Sequence, residues 1–206
     1  MAKKVQGVYE EIITVAKKEF LENGFQKASL RTIATKGGTT TGSIYTRFRD
    51  KEGLFIAIVE PFATKLLNMF TEIQENFHNF SKKEQKEQMG EYTSNSVNNI
   101  IDFMYENFSE CKLLLQSSQG TKFENFTDDF VCIEEEYTNK YIETMGCEIF
   151  GNPKFSKDIV HMITTAYFES FFEVIRHNME KEEAKKYIRV LGKYHMEGFK
   201  AIFDNK

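Results

Sequence analysis

Between Gly37 and Glu52 the chain reads GGTTTGSIYTRFRDKE. Hydroxyls stand at Thr39, Thr40, Thr41, Ser43, Tyr45 and Thr46, and cations at Arg47, Arg49 and Lys51. Ile44 and Phe48 are four apart, the spacing of one helix face, so this face is apolar and the others are polar. Serine and threonine hydroxyls bond phosphate or base edges, and a threonine methyl can touch thymine. The chemistry on offer is recognition. Ser29 and Arg31, just upstream, extend the same polar and basic character.

Charge distribution supports this. The chain of 206 residues has a net charge of −4. Yet Lys27, Arg31, Lys36, Arg47, Arg49 and Lys51 face only Asp50 within residues 27–51. A basic island in an acidic chain is the electrostatic footprint of a nucleic-acid contact.

Catalytic spacings are missing. His78, His161, His177 and His195 are scattered, with no H-E-x-x-H, G-x-S-x-G, phosphate-binding loop or dinucleotide glycine pattern. The sequence therefore predicts no enzyme, no metal site and no cofactor. Cys111, Cys132 and Cys147 are odd in number and far apart, which predicts reduced, buried thiols and a cytoplasmic location. No run approaches the ~18 consecutive apolar residues of a membrane span. The basic start, MAKKVQGVYEEII, lacks an apolar stretch before its glutamates and does not read as a signal peptide.

The elements that must hold the polar stretch are helical. Val5, Val8, Tyr9, Ile12, Ala16 and Phe20 predict a first helix over about 5–22, stopped by Asn23–Gly24. Ser29 caps a short second helix with Leu30, Ile33 and Ala34. Gly37–Gly38 end it, and Thr39 or Thr40 caps the third. Asp50 opens a long fourth helix, in which Pro61 predicts a kink. Five more follow, with no period-two strand, and the pattern predicts an all-α protein of about nine helices. Two short helices joined by a glycine turn are a helix-turn-helix, here over about 29–48. Its second helix is short because only its first turns reach base edges.

The segment IITVAKKEFLENGFQKASLRTIATKGGTTTGSIYTRFRDKEGLF resembles the N-terminal domain of the tetracycline-repressor (TetR) family. The likeness lies in apolar–Ala–x–x–x–Phe, Gly–Phe, Ile–Ala, Gly–Ser–Ile–Tyr and Phe–x–x–Lys–Glu–x–Leu. Departures are Gly37 for the usual alanine, Thr39 and Thr40 for valine and serine, and Thr41 where a basic residue is common. The resemblance implies a DNA-binding domain over residues 6–66 and a helical ligand and dimerisation domain over 67–206. It implies that Ser29 caps the second helix at a phosphate. Thr40, Thr41 and Ser43 would sit at the groove, with Thr39 also a DNA-binding residue, Tyr45, Thr46 and Lys51 on phosphates, and Arg31 and Arg47 either base-reading or simply electrostatic.

It further implies a homodimer on a palindromic operator, released by a small hydrophobic or amphipathic effector. Stripes at helical spacing supply candidates. For a pocket they are Met69, Phe70, Ile73, Ile100, Met104, Phe108, Phe126, Phe130 and Tyr137. For the dimer they are Val160, Ile163, Phe171, Val174, Leu191, Tyr194, Gly198 and Ile202. Glu169 and Glu173 share a face and could attract a cation. The other reading of the same residues is a helical small-molecule-binding or scaffold protein without DNA binding.

Overall fold

The computed structural model describes residues 2–146 and 153–203. Among these are nine helices and no strand: α1 Ala2–Lys27, α2 Leu30–Lys36, α3 Thr41–Phe48, α4 Lys51–His78, α5 Lys82–Glu106, α6 Phe108–Gln116, α7 Phe126–Met145, α8 Pro153–Arg176 and α9 Lys181–Phe203. Cys147 and the expected break at Gly151–Asn152 lie outside the described residues. Cys111 is buried, and burial pushes its thiol well above the ordinary range. Cys132, expected to be buried, lies on the exposed side of α7.

The chain divides into two compact units. The first comprises the residues up to Lys65 together with Asn107–Phe126. Its core joins Ile12, Ala16 and Phe20 of α1 to Ile33 of α2, Ile44 of α3, Leu54, Phe55 and Val59 of α4, and Cys111 and Leu113 of α6, all essentially inaccessible to solvent. α1 does not end at Gly24. That glycine adopts φ 70° and ψ 164°, and one further turn follows. The break frees the Phe25 amide, which donates to the Ser117 carbonyl at 3.0 Å. The Phe25 ring then meets Phe20 and Phe55. By these bonds, and by the Lys17–Glu110 ion pair, α6 is fastened to α1.

The second unit comprises Leu66–Glu106 and Thr127–Lys206. α9 packs on α5 and α8. Phe130, Phe168, Phe171 and Phe172 are buried together with ring centroids 5.2–6.4 Å apart, the range of edge and offset ring contacts. Lys181 and Lys185 of α9 hold Asp102 of α5 at 2.6 and 2.7 Å. Tyr105 donates to the Met179 carbonyl at 2.8 Å, fixing the turn before α9. The α4–α5 turn closes with a capping box: Ser81 N–H donates to Glu84, and Glu84 N–H to Ser81 Oγ.

α4 is long and apolar enough to cross a membrane by length and composition alone. Its apolar residues have another use: Leu54, Phe55, Ile58, Val59, Phe62 and Ala63 are buried. The helix is unbroken from Lys51 to His78 although Pro61 lies inside it. Its first turn is capped by Asp50, whose Oδ1 accepts Gly53 N–H at 2.7 Å. A side chain could not stand at 53, where a Cβ would come within 1.9 Å of the Phe48 carbonyl oxygen. Gly53→Ala must therefore pry α3 from α4, at a cost of about 2 kcal/mol or more in urea denaturation, the scale of an overpacked core site. Asp50→Ala, which removes only the cap, should cost about 1 kcal/mol.

Candidate nucleic-acid interface and helical-bundle cavity

α2 begins at Ser29, in extended conformation, with its Oγ accepting Thr32 N–H at 3.3 Å. Ser29 N–H in turn donates to Glu19 Oε1 at 3.1 Å. Glu19 is a buried carboxylate of α1 whose other oxygen lies 3.9 Å from Lys36. It thus ties both ends of α2 to α1. Sequence reasoning passed over Glu19. The signal that could have found it is a charge on the same helix stripe as Ala16 and Phe20.

The turn is a Schellman closure. Gly37 N–H donates to the Ile33 carbonyl at 2.8 Å, and Thr39 N–H reaches back to Ala34 at 2.9 Å. Between them Gly38 takes φ 61°, which favours glycine. Of the two candidate caps, Thr40 caps α3, its Oγ1 accepting Ser43 N–H at 3.1 Å.

α3 is amphipathic over two turns. Ile44 is 0% and Phe48 7% exposed, while Tyr45 is 53% exposed. Ser43, Thr46, Arg47 and Arg49 are exposed as well, and Thr39 and Thr41 are half-buried. Arg47 lies over the Tyr9 ring, 5.6 Å from its centroid, and Tyr9 stacks on Phe48. Thr46 donates its hydroxyl proton to the Gly42 carbonyl at 2.9 Å. In this state it offers an outside group only lone pairs and a methyl. Donors for a phosphate come instead from Ser43, Tyr45, Arg47 and, on α2, the exposed Arg31.

Lys51 is placed differently from a simple phosphate ligand. Its ammonium donates to the Gln26 carbonyl at 2.9 Å and the Ala28 carbonyl at 3.3 Å. It also sits 4.7 Å from the Phe25 ring centroid. It closes the C-terminal turn of α1, where cations are favoured.

In the second unit a cavity is bounded by α4, α5, α7, α8 and α9. Of the expected pocket residues, Phe70, Ile73, Ile100, Phe130 and Tyr137 line it. Met69 and Met104 do not, and Met104 is fully buried in the surrounding core. Phe108 and Phe126 belong to the first unit and are no part of this wall. Missed by the sequence reading are Gln74, His78, Glu134, Tyr167 and His195. Burial pushes the Glu134 carboxyl up to about 7, and Gln74 opposes this by donating to it at 2.5 Å. Burial also pushes His195 down to about 4.

Glu169 and Glu173 both take Arg176 at 2.8 Å. Of the expected dimer residues, Val160, Phe171 and Val174 are buried within the chain itself. Ile163, Leu191 and Ile202 are half-buried, and Tyr194 and Gly198 exposed. The exposed apolar side chains here are Met162, Tyr187, Val190 and Tyr194. No cluster of three or more potential metal ligands occurs among the described residues.

Lys51→Ala should lower stability without any DNA present, by about 1 kcal/mol in a thermal melt, because two helix-end carbonyls lose a partly exposed charged donor. Tyr45→Phe, which alters only an exposed hydroxyl, should leave the melt unchanged.

Comparison with known proteins places this architecture. Residues 12–58 match the family model described as bacterial regulatory proteins, tetR family. Over 68 residues the chain is 38% identical to the uncharacterised HTH-type transcriptional regulator YvdT of Bacillus subtilis, covering 33% of this chain and 35% of that one. Over 63 residues it is 32% identical to the HTH-type transcriptional repressor AcnR of Corynebacterium glutamicum, covering 31% and 34%. The match thus spans about a third of the length of these curated relatives. The fold likeness runs further. SmeT, the repressor of the Stenotrophomonas maltophilia multidrug efflux pump SmeDEF, superposes with TM-score 0.62 at 16% identity, over 92% of this chain and 88% of that one. A regulator of the TerR/AcrR family from Aquifex aeolicus does so with TM-score 0.58 at 19% identity, over 95% and 99%. At such identities the likeness is one of fold. The capped helix-turn-helix thus lies in a segment, residues 12–58, that matches the tetR family of bacterial regulatory proteins, and the all-helical remainder is similar in fold to solved regulators of that kind.

Proposed function

We propose that the protein is a cytoplasmic DNA-binding transcriptional repressor that acts as a homodimer on a palindromic operator and is released by a small hydrophobic or amphipathic effector. The observation that carries this is α3: Ile44 and Phe48 are buried behind it while Ser43, Tyr45, Thr46 and Arg47 are exposed in front. A helix so presented suits the major groove, which is about 12 Å wide. The relatives named as repressors support the direction of regulation.

In this reading Ser43 and Thr41 meet base edges, with Thr39 and Thr40 beside them. Tyr45, Arg47, Arg31 and the α2 start at Ser29 meet phosphates. Residues 6–66 carry this role, and the later helices hold the effector and the dimer contact. One two-turn helix reads few bases, which is why a second copy is needed. The exposed apolar side chains of α8 and α9 suit that contact. α4 carries residues of both units, so a ligand that biases its position at Pro61 or beyond would act on the reading helix.

The test is a gel shift with the DNA upstream of the protein's own gene. Tyr45→Phe should weaken all sites alike, by about fivefold for each phosphate hydrogen bond removed. Arg47→Ala should also lower the salt slope by about one unit per subunit. Ser43→Ala should change the ranking of operators. A protein that ignores this DNA at low salt is a helical ligand-binding or scaffold protein instead. For the dimer, Val190→Glu with Tyr194→Glu should give monomers in sedimentation with an unaltered melt, since both side chains are exposed in the single chain. Phe171→Glu should unfold the chain, because Phe171 is buried within it.

A further inference from the structure

We propose that the cavity of the second unit is a receptor for an amphipathic cation, a protonated amine carried on an apolar or aromatic body. This rests on the effector reading above and names the chemistry of that site. The walls are mostly rings: Phe70, Phe130, Tyr137, Tyr167 and Phe168 among them. Among the described residues, no lysine or arginine lines the cavity. One carboxylate does, that of Glu134, which accepts a hydrogen bond from Gln74 at 2.5 Å. A second acceptor lies on the same wall. His78 Nδ1 donates to the Gln74 carbonyl at 3.0 Å. In the neutral ring this leaves Nε2 as an acceptor, and it is buried without a partner among the described residues. An unmatched buried acceptor costs free energy that a donor from a ligand would recover.

An ammonium answers all three features. It neutralises the carboxylate, supplies N–H donors to Glu134 and His78, and lies among ring faces that attract cations. It would also hold Glu134 ionised, where burial, only partly offset by the Gln74 hydrogen bond, lifts the carboxyl to about 7. An anion would find a carboxylate and no basic wall. Lys140 lies over the Tyr137 ring but is paired with Glu136, and Lys185, Arg189, Lys193 and Lys200 line a neighbouring groove beside α9. Of these, Lys185 is paired with Asp102 and Lys200 with Glu197.

The test uses three probes with one tail: octylammonium, octan-1-ol and octanoate, titrated calorimetrically into the full chain at pH 7. Octylammonium should bind at least tenfold more tightly than octanoate. Glu134→Gln keeps the shape and the Gln74 contact. It should cost octylammonium at least tenfold and octanol less than twofold, and the retained octanol binding reports an intact cavity. His78→Phe should give a smaller loss for octylammonium alone, and it serves if the Glu134 variant does not fold. Preference for octanoate, equal binding of all three, binding of none, or an unchanged octylammonium affinity in both variants overturns the proposal. Operator release is scored separately with the same probes. If octylammonium binds as expected but leaves DNA bound, the effector reading fails and the cavity chemistry stands. If octanol or octanoate binds more tightly than octylammonium and releases DNA, the effector reading stands and the cavity chemistry fails.

Discussion

The carbonyl of Phe48 and the α-carbon of Gly53 lie so close that no side chain fits between them. Only Arg49 and Asp50 separate α3 from α4, and Arg49 takes a positive φ of 74° to make the corner. Non-glycine residues seldom adopt that region, so packing around the corner must hold it there. The holding forces are the buried Ile44 and Phe48 on one side and the Asp50 cap on the other. A helix of two turns cannot persist alone in water, because nucleation is unfavourable and few hydrogen bonds follow. α3 keeps its shape only because its back face and both its ends are fixed.

The same need explains how the polar residues divide their labour. Each short helix leaves unsatisfied amides at its start, and a hydroxyl or carboxylate must meet them. Thr40, Ser29 and Asp50 are used in this way. Thr46 commits its proton to the Gly42 carbonyl, and Lys51 commits two to the end of α1. What remains outward is a smaller set than the run of hydroxyls and cations suggests. Ser43, Tyr45 and Arg47 carry most of it, with Arg47 steadied by Tyr9.

The second unit solves a different problem. Its helices bury many rings, and rings pack with gaps unless smaller side chains fill them. The space left between α4, α5, α7, α8 and α9 keeps a carboxylate and a histidine acceptor on its wall. Both are costly there unless paired, and for Glu134 the pairing donor within the cavity wall is the neutral amide of Gln74.

The all-helical class, the nine helices and the helix-turn-helix were legible in the sequence because they depend on local rules. Apolar periodicity marks a buried helix face, and glycines and hydroxyls mark its ends. Gly37–Gly38 and Ser29 did what their types dictate. Side-chain partners from distant segments were not legible. The segment Asn107–Phe126 packs with the first unit because the break at Gly24 sends the Phe25 amide to Ser117, a pairing across more than ninety residues. Phe171 and Val174 have the periodicity of an interface stripe, yet they fill the interior of their own chain. Period alone says that a face is covered and not by what. Glu134 and His78 gave no signal either, since each is one polar residue on a mixed helix. Only packing from five helices sets them in one cavity and removes the water that would make them ordinary.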